Sequence, residues 1–473
     1  MKKLTTTILM ALVALLATAK PVEPREALTV AQNFWSQEFK ETAEFRDLTR
    51  TLGFEEIYLF ERSDGKGYVV VAGDDIALPI LGYSRESGFP TEGVSPSVMS
   101  WLRTYESEIR YGREHEVEID KSVAQEWENL KEGREPASAK GVNVEPLLTS
   151  RWNQSPLYNK YCPKADGEDQ APTGCVATAM AQVMRYWKFP EHGTGSHEYD
   201  YSDRDTVHWP YGPLSADFEH TYYDWDHMPD TLSGACDSIE IEAVAVLNYH
   251  CGVALDMVYG EDGSMAFVTI EDAILFDTNI YPAHIACEVV IPQYFGYSPM
   301  TDGKLRRDYE LDEWIALLQN ELVAGRPIIF AGAEEEGPSA GHCFVIDGCN
   351  QRNKFHINFG WGGSYDGNFY VDALKPARYY DFNARQQAIT GMCPPGMEGI
   401  TTVRGAKDIK VWAGKGAINI KGENLGAVEV FDLMGRQVAR ESGHGESQVT
   451  LRVPANGLYV VRTEGISHKV MVR

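Results

Sequence analysis

The sequence predicts an α+β protein that ends in a small β-sandwich. Three observations carry that expectation. Residues 20–135 mix a helical stretch with strand-like runs. Residues 145–393 place apolar-faced helices before strand-like runs. Residues 405–473 are short alternating runs broken by Gly and Asn. The chain has 473 residues, 43% hydrophobic and 11% aromatic, which suffices for sizeable cores and excludes wholesale disorder. At roughly 100–200 residues per domain, two to four domains are expected. Its 43 Lys+Arg against 69 Asp+Glu give a net charge of −26, which argues against nucleic acid as the main partner, because phosphate binding needs clustered Lys and Arg. Residues 401–473 carry 11 basic and 7 acidic side chains, so this end stands apart from an otherwise strongly acidic chain.

Taken in order, Met1-Lys2-Lys3, an apolar run from Ile8 to Leu16 and Ala17-Thr18-Ala19 read as a signal peptide over 1–19, cleaved after Ala19. No Cys follows that run, which speaks against a lipoprotein, and no later segment has the ~18 apolar residues of a transmembrane helix. Glu26 to Phe39 has helical periodicity, with Ala27, Val30, Ala31, Phe34 and Trp35 on one face. Glu56–Arg62 and Gly67–Ala72 read as strands beside Asp64-Gly65 and Gly73-Asp74 turns. Residues 118–140, charged and then small, read as an exposed linker open to proteolysis. Thr173 to Trp187, Ile239 to Tyr249 and Leu311 to Val323 read as helices, and Pro327–Ala331, Cys343–Asp347, Lys354–Asn358 and Asn368–Asp372 as strands. A linker over 394–404 leads to five short strands within 405–473: Ala417–Lys421, Val428–Leu433, Val449–Val453, Leu458–Arg462 and Lys469–Arg473.

The eight cysteines are Cys162, Cys175, Cys236, Cys251, Cys287, Cys343, Cys349 and Cys393. An even number in an exported chain admits four disulfides, whereas one reactive thiol would leave an odd remainder. With no CxxC pair and no tight Cys/His cluster, no metal site is expected.

Three segments carry chemistry. In Pro172-Thr173-Gly174-Cys175-Val176-Ala177 a Cys opens a helix behind a Gly. The unpaired N–H groups and partial positive charge of a helix N-terminus favour thiolate over thiol. In Ala340-Gly341-His342-Cys343-Phe344 a His begins an apolar strand, which suits a rigidly held general base. In His356-Ile357-Asn358-Phe359-Gly360-Trp361-Gly362-Gly363 an Asn is placed to accept the ring N–H of a catalytic His and fix its tautomer. A fourth segment, Trp152-Asn153-Gln154-Ser155-Pro156, offers the amide of Gln154 as an oxyanion donor beside the Cys175 N–H. Asp347 lies five residues beyond His342, on the opposite face of the strand, and does not suit the role of ring orienter.

Together, the Trp-Asn-Gln, Thr-Gly-Cys-Val-Ala-Thr-Ala-Met, Gly-His-(x)-Phe-Val-Ile-Asp-Gly and His-(x)-Asn-(x)-Gly-Trp-Gly-Gly strings resemble the streptopain family of papain-fold cysteine peptidases across about 145–393. The resemblance implies a papain-like fold for that block, with Cys175 as nucleophile, His342 as general base, Gln154 as oxyanion donor and Asn358 orienting His342. It also implies substrate contacts from Gly341 and, in the loop Tyr259–Ser264, from Ser264. This loop is one residue shorter than the family pattern, and Phe359 stands where the family has Trp. Residues 20–144 resemble that family's inhibitory prodomain. Residues 405–473 resemble the C-terminal sorting domain of type IX secretion cargo, carried by Val428–Arg436, Gly457–Arg462 and Lys469–Arg473. The implied protein is an autoprocessed peptidase of a Gram-negative bacterium, secreted or at the cell surface. Its partners are protein or peptide substrates, its own prodomain and the secretion machinery, and its thiol chemistry requires no cofactor. Two rival readings are an amide transferase or amidase using the same Cys and His, and an inactive surface adhesin.

Overall fold

The computed structural model describes residues 19–134, 141–164, 169–201, 211–261, 263–271, 273, 285–332, 341–373, 386–398, 410–414, 416–425, 427–432, 437–441, 446–455, 457–463 and 466–472. The expected signal peptide up to residue 18, residues 135–140 and most of the expected 394–404 linker lie outside them.

Residues 20–134 form α1 (Pro24–Phe39), β1 (Phe45–Asp47), α2 (Thr49–Leu52), β2 (Ile57–Arg62), β3 (Tyr68–Ala72), β4 (Ile80–Ser84), α3 (Pro96–Glu114) and α4 (Lys121–Lys131). Helix α1 starts on a proline in its first turn, where no N–H is missed, and stops at Lys40 in the left-handed region (φ 56°). It buries the expected face of Ala27, Val30, Ala31, Phe34 and Trp35, each large side chain contributing about 1.5–3 kcal/mol. The expected linker over 118–140 is corrected at α4. Asp120 caps this helix by accepting from Ser122 N–H, and Val123, Trp127 and Leu130 bury one apolar stripe beneath the charged surface.

The central block contains α5 (Cys175–Trp187), β5 (Ser196–Tyr199), β6 (Leu214–Asp217), α6 (Ser238–Ala254), α7 (Cys287–Phe295), β7 (Asp302–Leu305), α8 (Leu311–Val323), β8 (Ile328–Gly332), β9 (His342–Cys349), β10 (Phe355–Asn358), β11 (Gly367–Phe369) and β12 (Gln387–Thr390). A ten-stranded sheet runs β1-β2-β3-β4-β11-β10-β9-β8-β12-β7, and its neighbouring strands are antiparallel. The two blocks are therefore stitched into one sheet where β4 pairs with β11, Asn368 opposite Tyr83 and Phe369 opposite Gly82. A Cβ at Gly82 would stand 2.3 Å from the Phe369 ring, so only glycine lets that ring cross the joint. One hydrophobic core extends from Val22 through Phe344 and Phe369 to Ala388. Trp101 of α3 reaches the Phe344 ring at 5.4 Å, edge to face.

A second core gathers around α5 and α6. Helix α5 packs against α6 and against β8 and β9, which puts its N-terminus at the junction between helical layer and sheet.

Beyond residue 409 the chain forms two small sheets. Strands β13 (Lys410–Gly414), β14 (Ala417–Leu425) and β17 (Glu446–Arg452) make one. Strands β15 (Val428–Asp432), β16 (Gln437–Glu441), β18 (Gly457–Thr463) and β19 (Ile466–Val472) make the other, in the order β16-β15-β18-β19. Ile418, Ile420, Val428, Val430, Leu451, Val461 and Val472 fill their core. Among the described residues no helix is long and apolar enough to cross a membrane. All eight cysteines are free, so the four-disulfide alternative is not realised in this form.

Candidate active site

Gly174 holds φ +86°, a conformation L side chains rarely adopt, and turns the chain into α5. A Cβ there would lie 2.8 Å from Met257 Cε and 3.1 Å from the Ser264 carbonyl oxygen, so glycine is required on both counts. Cys175 is thereby the first residue of α5 and partly exposed, and the backbone N–H groups of Cys343, Val176 and Cys175 itself favour its thiolate. Burial pushes its thiol above the ordinary range, and those donors pull it back only in part. The expected depression at the helix N-terminus is thus outweighed in this closed form.

His342 opens β9 and is buried. Its Nε2–H donates to the Phe359 carbonyl at 3.0 Å, which leaves Nδ1 as the lone-pair nitrogen of the neutral ring. Burial drives the imidazole down to about 4, against the pull of that bond. The ring stacks on Phe359 and Trp361, and the Trp361 indole N–H points at Nε2 from 3.3 Å, competing for that nitrogen with the nearer Phe359 carbonyl. Sulfur and imidazole are both neutral here. Among the described residues no hydrogen bond joins them; the backbone N–H of Cys343, next to His342, favours the thiolate.

Asn358 was expected to accept the His342 ring N–H. Its amide is occupied otherwise: Nδ2 donates to the Ser150 carbonyl at 2.8 Å, and Oδ1 accepts from Gln182 Nε2 and Gly360 N–H, both at 3.1 Å. The next carbonyl along, that of Phe359, meets the ring instead. Asn358 acts through the backbone, pinning the turn that aims this carbonyl. Asp366 assists by accepting the Phe359 N–H at 2.9 Å.

The Gln154 carbonyl accepts the Thr173 N–H at 3.1 Å, tying its loop to the segment before Cys175. Its side chain is buried and makes no hydrogen bond among the described residues, so the amide stays uncommitted. Ser264 donates its hydroxyl to the Pro172 carbonyl at 2.6 Å, buttressing the Gly174 turn. Gly341 is exposed just ahead of β9. Cys175, Gln154 and Ser264 thus gather on the helical side, and His342, Asn358 and Gly341 on the sheet side.

Sequence reasoning missed Gln182. Its Oε1 accepts from Ser150 Oγ (3.0 Å) and Trp152 N–H (3.1 Å), while its Nε2 holds Asn358. A polar residue seven positions after Cys175 on a buried helix was the available signal. No group of His, Cys, Asp or Glu among the described residues is arranged to hold a metal.

A thiol at a helix start and an imidazole with one nitrogen committed are the groups a thiol-dependent hydrolase would use. The Peptidase C10 family model matches residues 152–370, and the Spi protease inhibitor model matches residues 19–109. Streptopain of Streptococcus pyogenes is 30% identical over 357 residues, covering 72% of this chain and 81% of its own. Thiol protease/hemagglutinin PrtT of Porphyromonas gingivalis is 29% identical over 372 residues; this chain is matched over 76% of its length and spans 39% of PrtT. Among solved structures, a cysteine-to-alanine fragment of Prevotella intermedia prointerpain A aligns with a TM-score of 0.56 and 32% identity, over 74% of this chain and 99% of that one. The chain belongs to the peptidase C10 family of cysteine peptidases, with an inhibitor-like segment ahead of its catalytic block.

Proposed function

We propose that the chain is the precursor of an exported cysteine endopeptidase that cuts protein substrates and matures by its own activity. The supporting observation is the turn at Gly174, which sets Cys175 at the start of α5 with the uncommitted Gln154 amide in the loop tied to it. Residues 1–19 are its signal peptide, 20–144 its inhibitory prodomain, 145–393 its papain-like catalytic domain, 394–404 a linker and 405–473 a sorting domain recognised by the type IX secretion machinery of a Gram-negative cell. The mature enzyme is released or held at the surface.

In the reaction, Cys175 loses its proton to His342 Nδ1, whose tautomer the Phe359 carbonyl sets, and its thiolate attacks the peptide carbonyl. The Gln154 amide and the Cys175 N–H hold the oxyanion. His342 returns the proton to the leaving amine, and water then hydrolyses the thioester with His342 as base. Gly341 and Ser264 border the substrate. In the precursor the neutral thiol and imidazole store this machinery in an unreactive state; access of substrate and water to the cleft lowers the penalty on the ion pair.

Purified Cys175→Ala should accumulate uncut, whereas the parent is cut within about 135–146 and labels at Cys175 with an epoxide thiol inhibitor. Maturation of pure Cys175→Ala refutes autoprocessing; absence of labelling and of new peptide N-termini refutes the peptidase.

A further inference from the structure

His356 lies two residues before Asn358 on β10 and is buried. Its Nδ1 is 2.6 Å from Asp347 Oδ1 and its Nε2 is 2.8 Å from Glu86 Oε1. Carboxylates accept only, so both ring nitrogens carry protons and the ring is an imidazolium. Asp347 belongs to the catalytic block, and its second oxygen takes the Leu148 N–H at 2.9 Å. Glu86 belongs to the inhibitor-like block, just after β4, and its second oxygen is bonded by Arg151 Nη2. Two cations of the catalytic block therefore converge on one carboxylate that the other block supplies. The position is built rather than casual. Ser87 donates to the Gly363 carbonyl at 3.3 Å, the Glu86 N–H is held by Ser84 Oγ at 3.1 Å, and the Arg151 stem packs where a Gly363 side chain would stand. It also adjoins the cleft: Arg151 is three residues before Gln154, and Gly362 N–H bonds the Trp152 carbonyl at 3.0 Å.

We propose that His356 and Arg151 form a carboxylate-binding socket of the catalytic block, filled by Glu86 in the precursor and, after the segment bearing Glu86 is removed, by an acidic side chain of a polypeptide ligand. Asp347 alone can neutralise the imidazolium, but it satisfies one ring N–H only. Loss of Glu86 leaves Nε2–H and the Arg151 guanidinium aimed at the same place, and a bidentate carboxylate answers both donors. A side-chain amide offers one acceptor oxygen and directs its NH₂ at a cation, so the socket discriminates Glu from Gln. The second half rests on the reading of residues 20–144 as a removable prodomain.

The first test needs no turnover. In full-length Cys175→Ala, the further change Glu86→Gly should lower the melting temperature. Acetate should restore part of that loss saturably, acetamide should not, and Arg151→Met should abolish the acetate effect. Unchanged melting of Glu86→Gly, or equal action of acetate and acetamide, overturns the socket. The second test uses the matured enzyme alkylated at Cys175 and a synthetic peptide of residues 81–89. The peptide should bind at least tenfold more tightly than its Glu86→Gln version, and Arg151→Met should erase the difference. Equal affinities overturn the polypeptide-ligand half. Failure of the chain to mature is a failure of the peptidase reading, and it leaves the acetate result standing.

Discussion

Replacing Lys354 with methionine should stabilise the precursor by about 1–2 kcal/mol at pH 7. Lys354 is 1% exposed, and its Nζ has no hydrogen-bond partner among the described residues. Burial drags its ammonium from 10.5 to about 8, although Glu126 and Glu38 draw it upward. At ~1.36 kcal/mol per pKa unit, keeping the charge inside at pH 7 costs about 3 kcal/mol. The Tyr370 ring, 4.0 Å from Nζ, and the Phe34 ring, 5.9 Å away, return about 1–2 kcal/mol of that as cation–π attraction. Methionine keeps the apolar stem and sheds the charge. The unfolded lysine binds more protons than the folded one between pH 8 and 10.5, so stability rises with pH across that window and is flat in this contribution below it. The variant loses this rise. Urea unfolding of Cys175→Ala with and without Lys354→Met, at pH 7 and pH 10.5, measures both effects. The gain should be largest at pH 7 and shrink toward pH 10.5. A methionine variant less stable than its parent at pH 7, or a difference independent of pH, would refute the argument.

Other changes follow from the same geometry. Gly174→Ala should cost about 2–3 kcal/mol through its backbone angle and its overlap with Met257, and lower turnover at least tenfold; melting and peptide hydrolysis check both. Gln182→Leu removes two acceptor contacts and one donor from Ser150, Trp152 and Asn358, and should cost about 2–4 kcal/mol in urea unfolding with no new cleavage specificity. At His356, burial favours the neutral ring, but Asp347 and Glu86 outweigh it and hold the ring at about 10, above its ordinary 6.5. That stabilisation is fully present below pH 6.5 and is lost as pH rises through 10. In a Lys354→Met background, Asp347→Asn should therefore destabilise the precursor by about 3–5 kcal/mol at pH 6 and by much less above pH 10, as read from urea midpoints.

Much of this was legible beforehand, and the rest was hidden for identifiable reasons. Helices α1, α5 and α8 follow from apolar residues at helical spacing, and the start of α5 at Cys175 from the Gly before it, a position that only glycine can fill. The placement of Asp347 away from His342 also follows from strand alternation, and its carboxylate indeed goes to His356. Helix α4 was hidden because its three buried apolar residues are diluted by charges that face solvent. The β4–β11 joint links residues more than 280 positions apart, and strand pairing at that range leaves no local trace. The Phe359 carbonyl could not be read at all, since every residue carries one and only the turn decides which is presented. The thiol's elevation is likewise a property of enclosure, which the helix N-terminus cannot reveal alone.

The joint at β4 and β11 bears on how the catalytic block would stand by itself. Withdrawal of the first four strands would bare the margin of what remains, a row of backbone donors and acceptors accustomed to company. That margin is three residues long and begins with Gly367, too brief to template an incoming strand. Were the leading segment removed, the catalytic block would keep a rim short enough to stand in water without recruiting another strand.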